Sequence, residues 1–413
     1  MNLGQLARAA ERLAQERPPI TVAAGQCLRA RDKAVDCDVC VRACPASAIT
    51  LDGGVQVDGD ACIRCGLCLH RCPAGVFDGR DGVYKLLHCA TQVVDHEIIE
   101  LVCSAHPEAA TGAKDVDAVI CANSCLSTYG PSAYVGLIAL GVKQVRVRLD
   151  ACAACPFGTL QAEIEREIAT TQALLDPLGR GDAVVIAPET TALTPAPSPS
   201  ERGEQIKKNR PVYSITNPPV SRRGFFQTLT RQGVAGVDDI QPPNAPQIEG
   251  ERSAPRERRR LMNGLHFVAR QGTDTSIAVE GFTRLGVTEG CTACGLCARV
   301  CPTGALTVDV TDDHFEVIFS AAQCTDCGIC TRFCGPGVLQ GYGAPTYDDV
   351  LAPELWLLHE GTLAHCQRCS APYAAEPDEV LCPICRVRRK NPFSVQMPDE
   401  LRQRIEASRA GGG

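Results

Sequence analysis

The chain has no excess of basic charge. Its 41 Lys and Arg against 48 Asp and Glu leave a net charge of −7. A general nucleic-acid binder carries a basic footprint, so that class is disfavoured. No apolar run is long. The longest, near Tyr134 to Val142, is too short to span a bilayer, so no membrane span is expected. Met1 to Pro18 reads as an amphipathic charged helix, with Leu3, Leu6, Ala10 and Leu13 on one face and no apolar core of a secretory signal. Catalytic signatures are missing too: there is no G-x-G-x-x-G, P-loop, H-E-x-x-H or nucleophile elbow. Tryptophan occurs once and methionine three times.

Against this stand 26 cysteines, nearly all in C-x2-C groups. Disulfide frameworks do not need that spacing, whereas metal sites do. Reduced, metal-holding thiols belong in the cytosol, so a cytoplasmic location is expected.

Cys62 to Pro73 reads C-I-R-C-G-L-C-L-H-R-C-P. This is the run C-x2-C-x2-C-x3-C-P, whose first three thiolates wrap one iron–sulfur cube while the fourth ligates a second. The run requires a partner, and Cys27, Cys37, Cys40 and Cys44-Pro45 supply it upstream. Crossing then assigns Cys27, Cys37, Cys40 and Cys72 to one cube, and Cys62, Cys65, Cys68 and Cys44 to the other. Nine residues rather than two separate Cys27 from Cys37. A longer loop still returns a thiolate, because closure cost grows slowly with length. A three-iron cluster, or ligation by Asp32 or Asp36, stays open. Short strands at Ala48–Leu51 and Val55–Val57 flank an Asp52-Gly53-Gly54 turn, and Val76-Phe77 with Val83–Leu87 read as a further hairpin.

Residues 280–345 repeat the plan. Cys291, Cys294, Cys297 and Cys301-Pro302 are followed by Cys324, Cys327, Cys330 and Cys334, with Ala305–Val310 and His314–Phe319 as the connecting hairpin. Crossing pairs Cys291, Cys294 and Cys297 with Cys334, and Cys324, Cys327 and Cys330 with Cys301. Four 4Fe–4S clusters are expected in all. Further on, Cys366-x2-Cys369 and Cys382-x2-Cys385 enclose twelve residues. Two such knuckles form a tetrahedral S4 site for structural zinc or, alternatively, iron, with His365 beside it. Pro398 to Ala410 reads as a short polar helix.

Between the modules, Ile98–Val102, Val116–Cys121, Val142–Leu149 and Ala183–Ala187 are β-branched runs, and Pro131–Leu140 and Phe157–Leu175 are helix candidates. That alternation predicts a parallel α/β sheet. Cys103, Cys121, Cys125, Cys152 and Cys155 fall at or just after strand ends, where sites in such sheets assemble. They are candidate ligands of one further cluster. Cys89 reads as core on a strand, and His106 in Cys103-Ser-Ala-His106-Pro is a candidate ligand whose favoured reading is a loop histidine without function. Residues 188–265 are rich in Pro, Gly and charge and read as a disordered or extended linker. Within them Ser221-Arg222-Arg223-Gly224-Phe225-Phe226 looks like a mid-chain twin-arginine run, and Arg256–Arg260 reads as a solvated basic face.

The expected fold is multidomain, α+β and α/β. It comprises a helix and two-cluster module at 1–88, a cysteine-containing α/β domain at 89–187 and the linker at 188–265. A second module at 266–345 and a zinc-ribbon-like region at 346–413 complete it. By their cysteines the two outer modules resemble bacterial two-cluster ferredoxin domains. With the Ser221–Phe226 stretch, the second also resembles ferredoxin-type accessory proteins of nitrate reductases. The middle domain carries Gly136-Leu-Ile-Ala-Leu-Gly141-Val-Lys-Gln-Val-Arg-Val and Asp150-Ala-Cys152-Ala-Ala-Cys155-Pro-Phe. There it is similar to the iron–sulfur (delta) subunits of hydrogenases that work with heterodisulfide reductases. That resemblance implies a 2Fe–2S cluster, with Cys103, Cys121, Cys125, Cys152 and Cys155 as candidate ligands. It also implies electron transfer between a redox enzyme and a larger complex. The expectation is an electron-transfer subunit with redox protein partners. The alternatives are an oxidoreductase with a thiol or disulfide site at the middle cysteines, and an assembly or docking protein.

Overall fold

The computed structural model describes residues 20–188, 211–216 and 253–390, apart from 33–34, 93–96, 112, 114, 270–274, 353–354 and 376–377. The helices expected at Met1–Pro18 and Pro398–Ala410, and the Ser221–Phe226 run, lie outside the described residues.

The first unit is built from β1 (Thr21–Val22), α1 (Leu28–Arg31), α2 (Val39–Ala43), β2 (Ile49–Thr50), β3 (Gln56–Val57), α3 (Leu67–Arg71) and β4 (Phe77–Asp78). β1 pairs antiparallel with β4, and β2 with β3. The second pair turns through Gly53 and Gly54, both at positive φ, which glycine adopts without a Cβ penalty. Two cysteine turns and two small ladders thus face each other across one shared core.

The expected hairpin partner at Val83–Leu87 is instead a helix, α4 (Val83–Thr91). Val83, Leu86, Cys89 and Ala90 are buried on one face, which is helical spacing. The Asp81 carboxylate accepts the Val83 N–H at its start. A short apolar run does not by itself distinguish strand from helix. Cys89 is core, on a helix rather than a strand.

The middle sheet holds β5 (Ile98–Val102), β6 (Ala118–Cys121), β7 (Gln144–Val147), β8 (Val184–Ile186) and β9 (Val212–Ser214). Its order is β8-β7-β5-β6-β9, and every neighbouring pair is parallel. Helix α5 (Pro131–Ala139) links β6 to β7, and α6 (Gln161–Leu175) links β7 to β8. The chain steps from β5 to β6 on one side, then crosses back to β7 on the other. A crevice opens at such a reversal, beyond the carboxyl ends of the strands. β9 falls within the stretch expected to be linker; it hydrogen-bonds to β6 as the sheet's edge.

A second departure from the linker expectation is α7 (Arg256–Val268). It packs on α5 at close range: a Cβ on Gly264 would lie 2.8 Å from Val135 Cγ1. The Arg256–Arg260 run is not a solvated face. Arg256 reaches Gly79 O at 3.1 Å and Asp78 Oδ1 at 2.8 Å, and Arg260 pairs with Asp81. Glu257 accepts from Ser132 N–H at 2.8 Å and from its hydroxyl at 2.6 Å, placing a carboxylate at the amino end of α5. Arg258 is buried and donates to Ala321 O, Ala322 O and Gly281 O at 2.9–3.0 Å. One turn of helix therefore ties three units together.

Burial raises the Glu257 carboxyl above its ordinary 4.5, as does Asp81, against the pull of the Ser132 hydrogen bonds and Arg260. An acid whose folded pKa exceeds its unfolded one binds more protons when native. Its contribution to stability is then lost as pH rises through the folded pKa. Glu257→Gln removes that ionisation. The variant is expected to gain stability relative to the parent as pH rises above 4.5. Melting curves across pH test this, and a constant difference would contradict it.

The last unit holds β10 (Leu285–Val287), α8 (Leu296–Val300), β11 (Leu306–Val310), β12 (His314–Phe319), α9 (Ile329–Arg332) and β13 (Leu339–Gly341). It continues with α10 (Tyr347–Leu351), β14 (Trp356–His365), β15 (Pro372–Ala374) and α11 (Pro383–Lys390). β10 pairs with β13, and β11-β12-β14-β15 form an antiparallel sheet. β14 thus extends the module's hairpin into the region expected to stand apart from it. Thr346 and Asp349 form a capping box on α10, and the Tyr347 hydroxyl donates to Leu174 O in the middle domain.

Candidate metal centres

The three C-x2-C-x2-C turns share one backbone device. Arg64, Ala293 and Asp326, each just before the second cysteine, have φ of 56°, 55° and 52°. Gly66, Gly295 and Gly328, just after it, have φ of 85°, 64° and 68°. Left-handed residues on both sides of the second cysteine curl the chain around the enclosed space and turn backbone amides toward it, an arrangement that favours anionic groups. Amide donors do reach sulfur: Asp326 N–H to Cys324 Sγ at 3.4 Å, Ala48 N–H to Cys44 Sγ at 3.3 Å and Val76 N–H to Cys72 Sγ at 3.5 Å. The Cys37-Asp38-Val39-Cys40 turn has no glycine after its second cysteine, and there α2 begins directly.

The thiols gather across the motifs. Burial pushes Cys40 up to about 11, and the neighbouring Cys72, Cys37 and Cys27 push the same way. Cys68 is raised by burial, then by Cys65, Cys62 and Cys44. In the second module Cys297 is raised to about 11 by burial, with Cys294, Cys291 and Cys334 adding to it. Cys330 is raised by burial and then by Cys324, Cys301 and Cys327. Each group of neighbours combines three thiols of one run with the last thiol of the other. Such mutual destabilisation of thiolates is relieved when a cation binds among them.

Size separates these sets from the last one. The sulfurs of Cys366, Cys369, Cys382 and Cys385 all lie within 4.8 Å of one another, and Cys369 Sγ to Cys382 Sγ is 3.7 Å. Metal–sulfur bonds of 2.3 Å in a tetrahedron put sulfurs about 3.8 Å apart, so this set fits a single ion. No other cysteine set among the described residues closes to that spacing. A cube, which offers a separate iron to each thiolate, suits the wider sets.

In the middle domain four of the five candidates converge. Cys103 follows β5, Cys125 follows β6, and Cys152 and Cys155 follow β7. Burial pushes Cys103 up to about 12, with Cys125, Cys152 and Cys155 contributing, and Cys152 likewise to about 12 with Cys125 and Cys155. Cys121 does not face them in this way. Its thiol donates to Cys103 O at 3.7 Å and Ala122 O at 3.6 Å, and burial alone raises it.

His106 and two residues that the sequence reading did not single out, Asp150 and Arg148, support this set. His106 Nδ1 accepts the Glu108 N–H at 3.2 Å, which leaves the proton on Nε2, 3.1 Å from Asp150 Oδ1. Arg148 donates to Asp150 Oδ2 at 2.7 Å and lies 3.6 Å from Glu100. Burial works against ionisation of Asp150, but the bonds from His106 and Arg148 outweigh it and hold the carboxyl well below its usual range. His106 therefore clips the loop of Cys103 to the loop of Cys152.

The sets also abut. The Ser127 hydroxyl donates to Cys65 O at 3.2 Å, His70 Nε2 donates to Ser127 O at 3.1 Å, and the charge of Cys125 reaches Cys65. At the other side Thr325, between Cys324 and Cys327, donates to Pro73 O at 2.9 Å. Ile329 is buried in the same core as Cys27 and Cys40.

Residues 33–76 and 290–338 each match the 4Fe-4S dicluster domain family. These stretches carry every cysteine of the four runs except Cys27. No curated protein matches the chain. No helix among the described residues is long and apolar enough to cross a membrane. The two matched stretches and their cysteine groups support ferredoxin-like iron–sulfur domains, which implies a function in electron transfer.

Proposed function

We propose that the chain is a multi-cluster electron carrier, a subunit or dedicated partner of a larger anaerobic redox complex of the hydrogenase, formate dehydrogenase or heterodisulfide-reductase kind. The observation that carries this reading is the gathering of each three-thiol turn with the final thiol of its partner run. On this reading Cys27, Cys37, Cys40 and Cys72 hold one 4Fe–4S cube, and Cys62, Cys65, Cys68 and Cys44 the second. Cys291, Cys294, Cys297 and Cys334 hold the third, and Cys324, Cys327, Cys330 and Cys301 the fourth. A bound cube supplies one-electron chemistry without proton transfer.

Cys103, Cys125, Cys152 and Cys155 hold a fifth cluster, of 2Fe–2S or another type, with Cys121 outside the ligand set. The Cys366 set holds zinc or iron as a fold-making site. The Thr325–Pro73 and Ser127–Cys65 contacts support a series. It runs from the second module, through its Cys324 turn, into the first module and on to the middle domain. Reduced thiols on this scale suit the cytoplasm.

Anaerobic reduction of the purified chain tests the function. Full reduction and reoxidation by one-electron partners, with no turnover of thiol or disulfide substrates, supports a carrier; sustained turnover would instead favour an enzyme. The fifth site has its own test. Groups that orient metal ligands typically change affinity about 10- to 100-fold when removed. His106→Ala is accordingly expected to lose the iron that the middle domain adds to the content of four cubes, about sixteen per chain, with the Cys366 set unaffected. Retention of that iron would show that the clip is not needed.

A further inference from the structure

We propose that the buried Arg258 guanidinium, seated on the carbonyls beside Cys324, makes the Cys301, Cys324, Cys327 and Cys330 centre the most easily reduced of the four cubes. The inference rests on the reading that these cysteines hold a cube. It adds which of the four cubes takes up an electron most readily.

Arg258 arrives from α7, 63 residues from Ala321 in the chain. Its Nε and Nη2 donate to Ala322 O and Ala321 O, the carbonyls immediately before Cys324 in the chain apart from Gln323, and its Nη1 donates to Gly281 O. The Phe282 ring lies 3.9 Å from its guanidinium carbon. These partners are neutral, so its full charge is held in place without being cancelled by a bonded carboxylate. Burial lowers the Arg258 pKa to about 10, with Cys324 and Asp326 pulling it back up, so it stays protonated at neutral pH.

One-electron reduction adds one negative charge to a cube, the electron coming from the reductant. A fixed cation nearby stabilises the reduced form and raises the potential. That effect is strong only where the cation is shielded from water and salt. Three arginines near the other sets fail one condition or the other. Arg29, whose charge reaches Cys37, is 38% exposed and paired with Asp36. Arg71 is bonded to both Glu163 and Glu167. Arg299, which donates to Cys294 O, is exposed. Arg258 is 6% exposed. The countercharge in its field is Asp326, on the exposed turn between Cys324 and Cys327.

The test is a redox titration of the anaerobically prepared full chain, followed by electron paramagnetic resonance. Cys327→Ser, which changes the ligand of one centre, identifies the signal of this set. In the parent protein that signal is expected at the highest potential of the four cubes. Arg258→Gln should lower it by at least tenfold in the reduction equilibrium, about 59 mV for one electron, while the other three stay put. Arg258→Lys keeps the charge and should restore most of the shift. Asp326→Asn should move the same signal upward; it alters an exposed side chain at a positive φ that asparagine tolerates.

A parent signal that is not the highest would overturn the proposal. So would an Arg258→Gln signal that does not move, or four signals that move together. If Arg258→Gln fails to fold, the parent ranking and Asp326→Asn decide. If Cys327→Ser removes no iron and alters no signal, it is the underlying assignment of the cube that fails.

Discussion

Removing the ion from the Cys366, Cys369, Cys382 and Cys385 set is expected to unfold the C-terminal knuckle while both iron–sulfur modules stand. The reason is the size of the local core. The buried cluster there consists of Cys366, Tyr373, Cys382 and Cys385, with Ala364 and Leu381 packed against it. Three of its four buried members are the proposed ligands themselves. So little apolar surface cannot offset the entropy of ordering the loop. Binding of a structural ion by four thiolates contributes about 10–16 kcal/mol at neutral pH, and that is folding energy for such a unit. Burial opposes ionisation of Cys366, but the N–H groups of Cys382, Arg368 and Cys369 pull its thiol below the usual range, which suits metal binding. β14 should survive in part, because its first half pairs with β12 from His314 to Phe319. Hydrogen exchange before and after a zinc chelator reads this directly. Protection should vanish across residues 366–390 and persist in β11 and β12. Persistent protection throughout would mean that the ion is dispensable there.

Gly66→Ala is expected to be far more damaging than Gly328→Ala, although the two glycines occupy equivalent places in their turns. Both have positive φ, so either substitution carries about 1–2 kcal/mol of backbone strain. Their surroundings differ. A Cβ on Gly66 would lie 2.3 Å from Thr128 Oγ1 and 3.1 Å from Thr128 Cα, whereas a Cβ on Gly328 meets nothing within 4 Å. At Gly66 the turn is pressed against the segment that follows Cys125, and Thr128 is buried with no room to retreat. Overpacking of that kind adds about 1–3 kcal/mol. Gly66→Ala should therefore lower the melting temperature well beyond Gly328→Ala and release the middle domain from the first module. Equal effects of the two would contradict the packing of Cys125's segment on the Cys65 turn.

The cysteine groupings were largely legible in the sequence because their information is local. A C-x2-C-x2-C spacing sets its own turn, and the crossing follows from where the fourth cysteine stands. The parallel sheet was legible as well, since β-branched runs at Ile98–Val102 and Gln144–Val147 alternate with longer helical stretches. Features that depend on distant partners were not legible. Arg258 looks like surface charge until Ala321, Ala322 and Gly281 bring their carbonyls to it. Val212–Ser214 joins the sheet only because β6 offers an edge. Cys121 and Cys125 are equally placed by spacing, yet Cys121 ends the strand with its thiol toward backbone carbonyls while Cys125 turns toward Cys103 and Cys152. His106 was visible as a candidate, but its role as a clip needs Asp150, 44 residues away.

The crossed cysteine sets are proposed to hold iron–sulfur cubes. Iron and acid-labile sulfide counted per chain, in protein purified under strict anoxia, test it most directly. About sixteen of each are expected from the four cubes, with a further excess from the middle domain. Iron-free protein with its motif cysteines joined as disulfides would contradict it.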